Sequence, residues 1–120
     1  MKKNRFVNLF IFLFCICSFG QIKNKEDLKK MSYDNLKENY NKSTNKNEKV
    51  QYATSYLNKG KKERTSIRIA KGFYLLAYLE YGVNNKKALK LLDSVIKYSK
   101  KVDDTIFPAA AYREKADLLV

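Results

Sequence analysis

From Ser66 to Tyr81 the chain is apolar at nearly every position. Ile67, Ile69, Ala70, Phe73, Tyr74, Leu75, Leu76, Ala77, Tyr78 and Leu79 reach all sides of a helix, and only Arg68, Lys71 and Glu80 are charged. A helix with so wide an apolar surface must be covered on more than one side, so the fold has to be built around it. Gly82 follows where a left-handed C-terminal cap is usual, and Asn84 and Asn85 continue the turn and offer an N-cap. A second helix is predicted from about Lys86 to Lys101. Its inward stripe is Ala88, Leu89, Leu92, Val95, Ile96 and Ser99; Lys87, Lys90, Asp93, Ser94, Lys97 and Lys100 form its solvated back. That is the i, i+3, i+4, i+7 spacing of an amphipathic helix.

The first twenty residues are set apart from this domain. Lys2, Lys3 and Arg5 form a basic start, and Phe6 to Phe19 is an apolar run broken by Asn8 and Ser18. Ser18 and Gly20 place small residues before a cleavage point between Gly20 and Gln21, the layout of a secretory signal peptide. The alternative is a retained anchor, for which the run is shorter than the ~20 residues of a spanning helix. Export follows from either: a periplasmic protein, or a membrane-associated one facing the periplasm, touching the membrane only through this segment if it stays uncleaved. Both cysteines, Cys15 and Cys17, lie inside it, so the mature chain would have no disulfide and no thiolate chemistry.

After the signal, residues 21–31 read as a loose polar segment, and 32–120 as a helical domain cut short at its C-terminal end. Ser32 can cap a short helix that places Tyr33, Leu36 and Tyr40 on one face. Asn41 to Asn47 reads as a loop. A helix follows from about Glu48 to Lys59 with Val50, Ala53, Tyr56 and Leu57 inward, and Gly60 is its expected C-cap. Beyond a turn at Val102 to Phe107, Pro108 suits the first turn of a last helix, whose inward face would be Ala109, Ala110, Tyr112, Ala116 and Leu119. Val120 ends the chain inside that pattern without a cap. No strand-like alternation competes, so the fold class is all-α: antiparallel helix hairpins preceded by a signal-peptide helix.

The formal charge is +13, and removal of Lys2, Lys3 and Arg5 lowers it by three. The lysines are spread along all the helices, as in a solvated lysine-rich surface. The other reading is a basic protein that binds glycan, lipid headgroups or nucleic acid through its surface charge. No stretch interleaves arginine with aromatic residues as a base-stacking surface would, so direct nucleic-acid binding is not expected.

An internal repeat is present. Asn47-Glu48-Lys49-Val50 and Asn85-Lys86-Lys87-Ala88 open second helices 38 residues apart, and Ala70, Phe73 and Ala77 match Ala109, Tyr112 and Ala116 at an offset of 39. The period is near that of two-helix solenoid repeats. On "NNKKALKLLDSVIKYSKK" (Asn84 to Lys101) and "FPAAAYREKADLL" (Phe107 to Leu119), the region from Gln21 to Val120 resembles a tetratricopeptide repeat (TPR) array. In that family small residues sit where helices cross, places that Ala77, Ala88 and Ala116 would fill here, with Phe73 and Tyr112 as the large residue of the first helix of each pair. The resemblance implies a stacked α-solenoid that binds a protein or peptide and packs against neighbouring repeats of a longer chain. Together with the signal segment, "IAKGFYLLAYL" (Ile69 to Leu79) is similar to the exported sensor part of Bacteroidetes-type TPR regulators. Those continue into a membrane helix and a helix-turn-helix or histidine kinase.

Chemistry has few candidates. There is no histidine, and Gly60, Gly72 and Gly82 are isolated rather than part of a phosphate loop. Asp103-Asp104 reads as a helix-capping turn. The expectation is a non-enzyme with no catalytic, cofactor-binding or metal-ligating residue and no cofactor. The residues that matter are those of the structural core: Phe73, Leu76, Ala77, Ala88, Leu92, Val95, Tyr112 and Ala116. The nine tyrosines could line a ligand groove, but most fall on inward stripes and are expected to pack in the core.

Overall fold

The computed structural model describes residues 24–100 and 106–120, and six α-helices with no strand account for almost all of them. They are α1 (Lys25–Lys30), α2 (Tyr33–Lys42), α3 (Lys46–Lys62), α4 (Ser66–Glu80), α5 (Asn85–Ser99) and α6 (Ile106–Leu119). The segment expected to be a signal peptide, with Gly20 and Gln21, and the Asp103-Asp104 pair lie outside the described residues. Each helix from α2 to α5 packs on its successor, α1 lies on α3, and α4 also touches α6. The helix that is apolar all round, α4, therefore has neighbours on several sides: α3, α5 and α6.

Local sequence explains most of the boundaries. The Ser32 hydroxyl accepts from the Asn35 amide at 3.1 Å to open α2. Asn45 accepts from the amides of Asn47 and Glu48 to open α3. Asn84 accepts from the Lys87 amide at 3.0 Å to open α5. Gly82 takes the left-handed conformation at φ 74° after α4, and its amide donates to Asn85 Oδ1 at 2.9 Å. Each cap satisfies a backbone group that the helix itself leaves unpaired.

Three boundaries differ from the sequence reading. The segment read as loose contains α1, which Asn24 caps through the Asp27 amide at 2.9 Å and Leu28 anchors by burial. The loop before α3 shrinks to Ser43, Thr44 and Asn45. Gly60 does not end α3 but lies buried within it. The helix runs on to Lys62, and Arg64, just past its cap, adopts φ 54°. There the amide of Thr65 donates to the Gly60 carbonyl and that of Arg64 to Lys61, the paired closure usually built on glycine.

Gly60 has another use. A Cβ there would stand 3.0 Å from the Ile69 backbone nitrogen, and one at Gly72 only 2.7 Å from Cα of Leu57. The two glycines bring the backbones of α3 and α4 together at their crossing.

Two core clusters flank α4. One gathers Leu28, Leu36, Tyr40, Ala53, Tyr56 and Leu75; the other gathers Ala70, Ala77, Leu92, Val95, Ile96 and Ala111. Ser99 is fully buried in the stripe of α5 and satisfied by donating to the Val95 carbonyl at 2.6 Å.

The inward face of α6 is not the expected one. Ala111 is buried and Leu118 packs on the second cluster, whereas Tyr112 is 50% exposed and Ala116 is exposed. The match of Ala109, Tyr112 and Ala116 to Ala70, Phe73 and Ala77 thus aligns residue types, not environments. The buried alanine of α6 is Ala111, two positions beyond Ala109, or about 200° round a helix of 3.6 residues per turn.

Candidate functional site

Tyr74, Tyr78 and Tyr81 are spaced by four and three residues, so α4 carries them up one face to its C-terminal cap. Tyr74 and Tyr81 pack their ring bodies on the second core cluster. Tyr78 is 61% exposed, and its ring lies 5.5 Å from that of Tyr81. On one side of the row stands Tyr40 of α2, near enough for Tyr78 to help raise its pKa. On the other side α6 contributes Glu114 and Arg113, whose charges reach Tyr74 in opposite senses.

This face is electrostatically distinctive. The Tyr81 phenol is held well above its ordinary pKa, by burial first and then by the charge of Glu114. Its hydroxyl is buried and makes no well-aligned hydrogen bond, although the Glu114 carboxylate is close. Tyr74 is raised for the same two reasons in the same order. The Tyr40 phenol is pushed up to about 12, chiefly by burial, and donates to the Leu75 carbonyl at 2.8 Å. At neutral pH the row is therefore a set of neutral phenols beside one carboxylate. It can pack an apolar side chain against its rings and offer oxygen acceptors to a donor at the edge.

A second aromatic cluster serves a different purpose. The Tyr33 ring has the Arg68 guanidinium 4.5 Å from its centroid, the Lys59 ammonium at 5.2 Å and the Tyr56 ring edge-on at 4.8 Å. Its hydroxyl donates to Glu63 at 2.7 Å, and Arg68 donates to the Tyr56 hydroxyl at 2.8 Å. Every polar group in this cluster has a partner, and the partners come from α2, α3 and α4. It is a joint between helices rather than an open site.

The core residues expected from sequence divide into groups. Ala77, Ala88, Leu92 and Val95 are fully buried. Phe73 and Leu76 are half-buried, and the Phe73 ring stacks on Tyr98 at 5.7 Å. Tyr112 faces solvent with the Lys100 ammonium 5.9 Å from its ring centroid. The tyrosine row of α4, for which the sequence favours core packing over a ligand groove, leaves Tyr78 exposed. Its spacing was available in the sequence, but on a helix that is apolar all round nothing singles out the face left uncovered. Among the described residues no three histidine, cysteine or acidic side chains come together as metal ligands, and no helix is long and apolar enough to cross a membrane. Comparison with family models, curated proteins and solved structures finds no match to this chain.

Proposed function

We propose that this chain is a non-catalytic, exported helical-repeat module that binds a protein or peptide on the tyrosine face of α4. In this reading the hairpins α2–α3 and α4–α5, followed by α6, are successive TPR-like units of an α-solenoid. They form the sensory N-terminal part of a longer regulator, and neighbouring repeats of that chain are further partners. The layout of residues 1–20 supports export. The stacking reading is supported by the contacts between alternate helices, Tyr40 of α2 with the Leu75 carbonyl and α4 with α6.

The observation that carries the binding role is Tyr78, a large aromatic residue 61% exposed in a row with two half-buried tyrosines. Exposed aromatic residues clustered on a firm base are typical binding anchors. The ligand it suits has an apolar anchor for the rings and a hydrogen-bond donor or cation for Glu114. Selection from a displayed peptide library, followed by calorimetry of the winning peptides, tests this. Tyr78→Ala should weaken binding about tenfold, within the ~1–2 kcal/mol typical of a moderate hot spot, and added salt should matter little. Peptides whose binding ignores Tyr78→Ala and collapses with salt would instead mark a surface governed by lysine charge.

A further inference from the structure

Away from the tyrosine row, a groove of about 520 Å³ runs between α1 and α3, within the size range of small-ligand sites. Its α3 wall is built from Gln51, Thr54, Ser55 and Asn58, spaced by three and four residues along one helix face. All four side chains carry hydrogen-bonding groups, and no other described residue hydrogen-bonds to them. Lys25 and Lys29 reach it from α1, and Lys59 and Lys62 from the end of α3.

The charges around the groove are poorly balanced. Among the described residues the lining has one carboxylate, Glu63, which already accepts from the Tyr33 hydroxyl at 2.7 Å. Lys59 lies 3.9 Å from Glu63 and Lys29 lies 3.4 Å from Glu26, while no described carboxylate pairs with Lys25 or Lys62. Lys59 and Lys62 complement the negative end of α3; Lys25, on the first residue of α1, has no such explanation. Two lysines on each side of a groove repel one another, and α1 is held to the core mainly by Leu28.

We propose that this groove binds a small multiply charged anion of the phosphate class, an oligophosphate or a polyol bearing two or more phosphates. Lysine ammoniums act as point charges that meet a tetrahedral oxyanion from several directions, and among the described lining residues there is no arginine fork to select a planar carboxylate. The hydroxyls of Thr54 and Ser55 and the amides of Gln51 and Asn58 supply further donors. No aromatic ring among the described residues lines the groove, so these residues offer no platform for a nucleobase. The bound anion offsets the repulsion between α1 and α3 and clamps the two helices together.

Titration calorimetry of the chain with inorganic tripolyphosphate tests the site. One-to-one saturable binding is expected. The double variant Lys25→Ala/Lys62→Ala, which breaks no ion pair among the described residues, should lower affinity at least tenfold. Lys86→Ala/Lys90→Ala on α5, with the same loss of charge, should change it less than twofold. Thr54→Ala/Ser55→Ala should cost several-fold at unchanged charge, and hydrogen exchange of the Leu28 to Met31 amides should slow on binding. Equal losses in the two lysine double variants, or binding that does not saturate, would overturn the proposal in favour of diffuse attraction to a basic surface. So would binding to phosphatidylglycerol vesicles with none to tripolyphosphate.

Discussion

The two core clusters on either side of α4 hold their helices together by different means. On the N-terminal side the joint is aromatic and directional. Tyr40 donates to the Leu75 carbonyl, Arg68 to the Tyr56 hydroxyl and Tyr33 to Glu63, and all three bonds cross between helices. On the C-terminal side the cluster itself is aliphatic, Ala70, Ala77, Leu92, Val95, Ile96 and Ala111, with the rings of Phe73, Tyr74, Tyr81 and Tyr98 at its edge, and the buried Ser99 hydroxyl bonds within its own helix to the Val95 carbonyl. Aliphatic packing is non-directional and scales with the area removed from water. Hydrogen bonds in the first cluster each add little net energy but fix the register of the helices. The contrast explains why α4 must be apolar all round: it supplies Leu75 to one core and Ala70 and Ala77 to the other.

The sharpest test of this contrast is truncation of the aliphatic side. Leu92 is fully buried, and Leu92→Ala should cost about 2–5 kcal/mol through lost burial and the cavity left behind. Lys90→Ala, on the exposed back of the same helix, should stay within about 0.5 kcal/mol. Urea melts that gave the two variants equal midpoints would break the assignment of the stripe.

The crossing of α3 and α4 comes next. Gly72→Ala sets a methyl 2.7 Å from Leu57 Cα, where backbone rather than a flexible side chain must move. A loss near the upper end of overpacking effects, about 3 kcal/mol, is expected against the ~1 kcal/mol gained in helix propensity. A thermal melt showing Gly72→Ala to be stabilising would mean that α3 and α4 do not approach this closely.

The smallest effect belongs to the directional side. Tyr40→Phe removes one buried hydrogen bond and should cost about 1 kcal/mol. It also carries a pH signature. The Tyr40 pKa is raised from 10.0 to about 12 in the fold. Its contribution is complete below pH 10 and is lost as pH climbs to about 12, because only the unfolded chain releases the proton in that window. Tyr33 and Tyr81 are shifted in the same direction, mainly by burial. Lys71 opposes the trend: burial and then Lys37 depress its pKa, so stability gained from its neutralisation rises toward pH 10.5. Denaturant midpoints followed from pH 8 to 12 should fall for the parent chain and fall less for Tyr40→Phe. Parallel curves would remove Tyr40 from the account.

Much of the helical layout was legible in local patterns. The Ser32 and Asn84 caps, the left-handed Gly82 and the stripe of α5 each express chemistry within one turn of helix, which periodicity and capping rules capture. Short-range rules failed where a residue has a long-range use. Gly60 resembles a helix end in sequence but is a contact point for the start of α4. Arg64, with no glycine to advertise it, is the left-handed residue that closes α3. Leu28, one apolar residue in a lysine-rich stretch, suffices to dock α1. The binding surfaces proposed here were less legible still, since the tyrosine row and the polar wall of α3 become surfaces only once neighbouring helices have covered the other sides.

Helix content and the approximate helix limits were therefore determined by the sequence itself, because they depend on neighbours three and four residues apart. Which face each helix buries was decided by the tertiary structure, and α6 shows why. Ala109, Ala110, Ala111, Tyr112, Ala116, Leu118 and Leu119 put apolar atoms on most sides of that helix, so its own periodicity scarcely distinguishes one rotation from another. Contact with α5 and α4 buries Ala111 and leaves Tyr112 and Ala116 in solvent. Burial energy depends on the partner surface as much as on the helix that presents the residues.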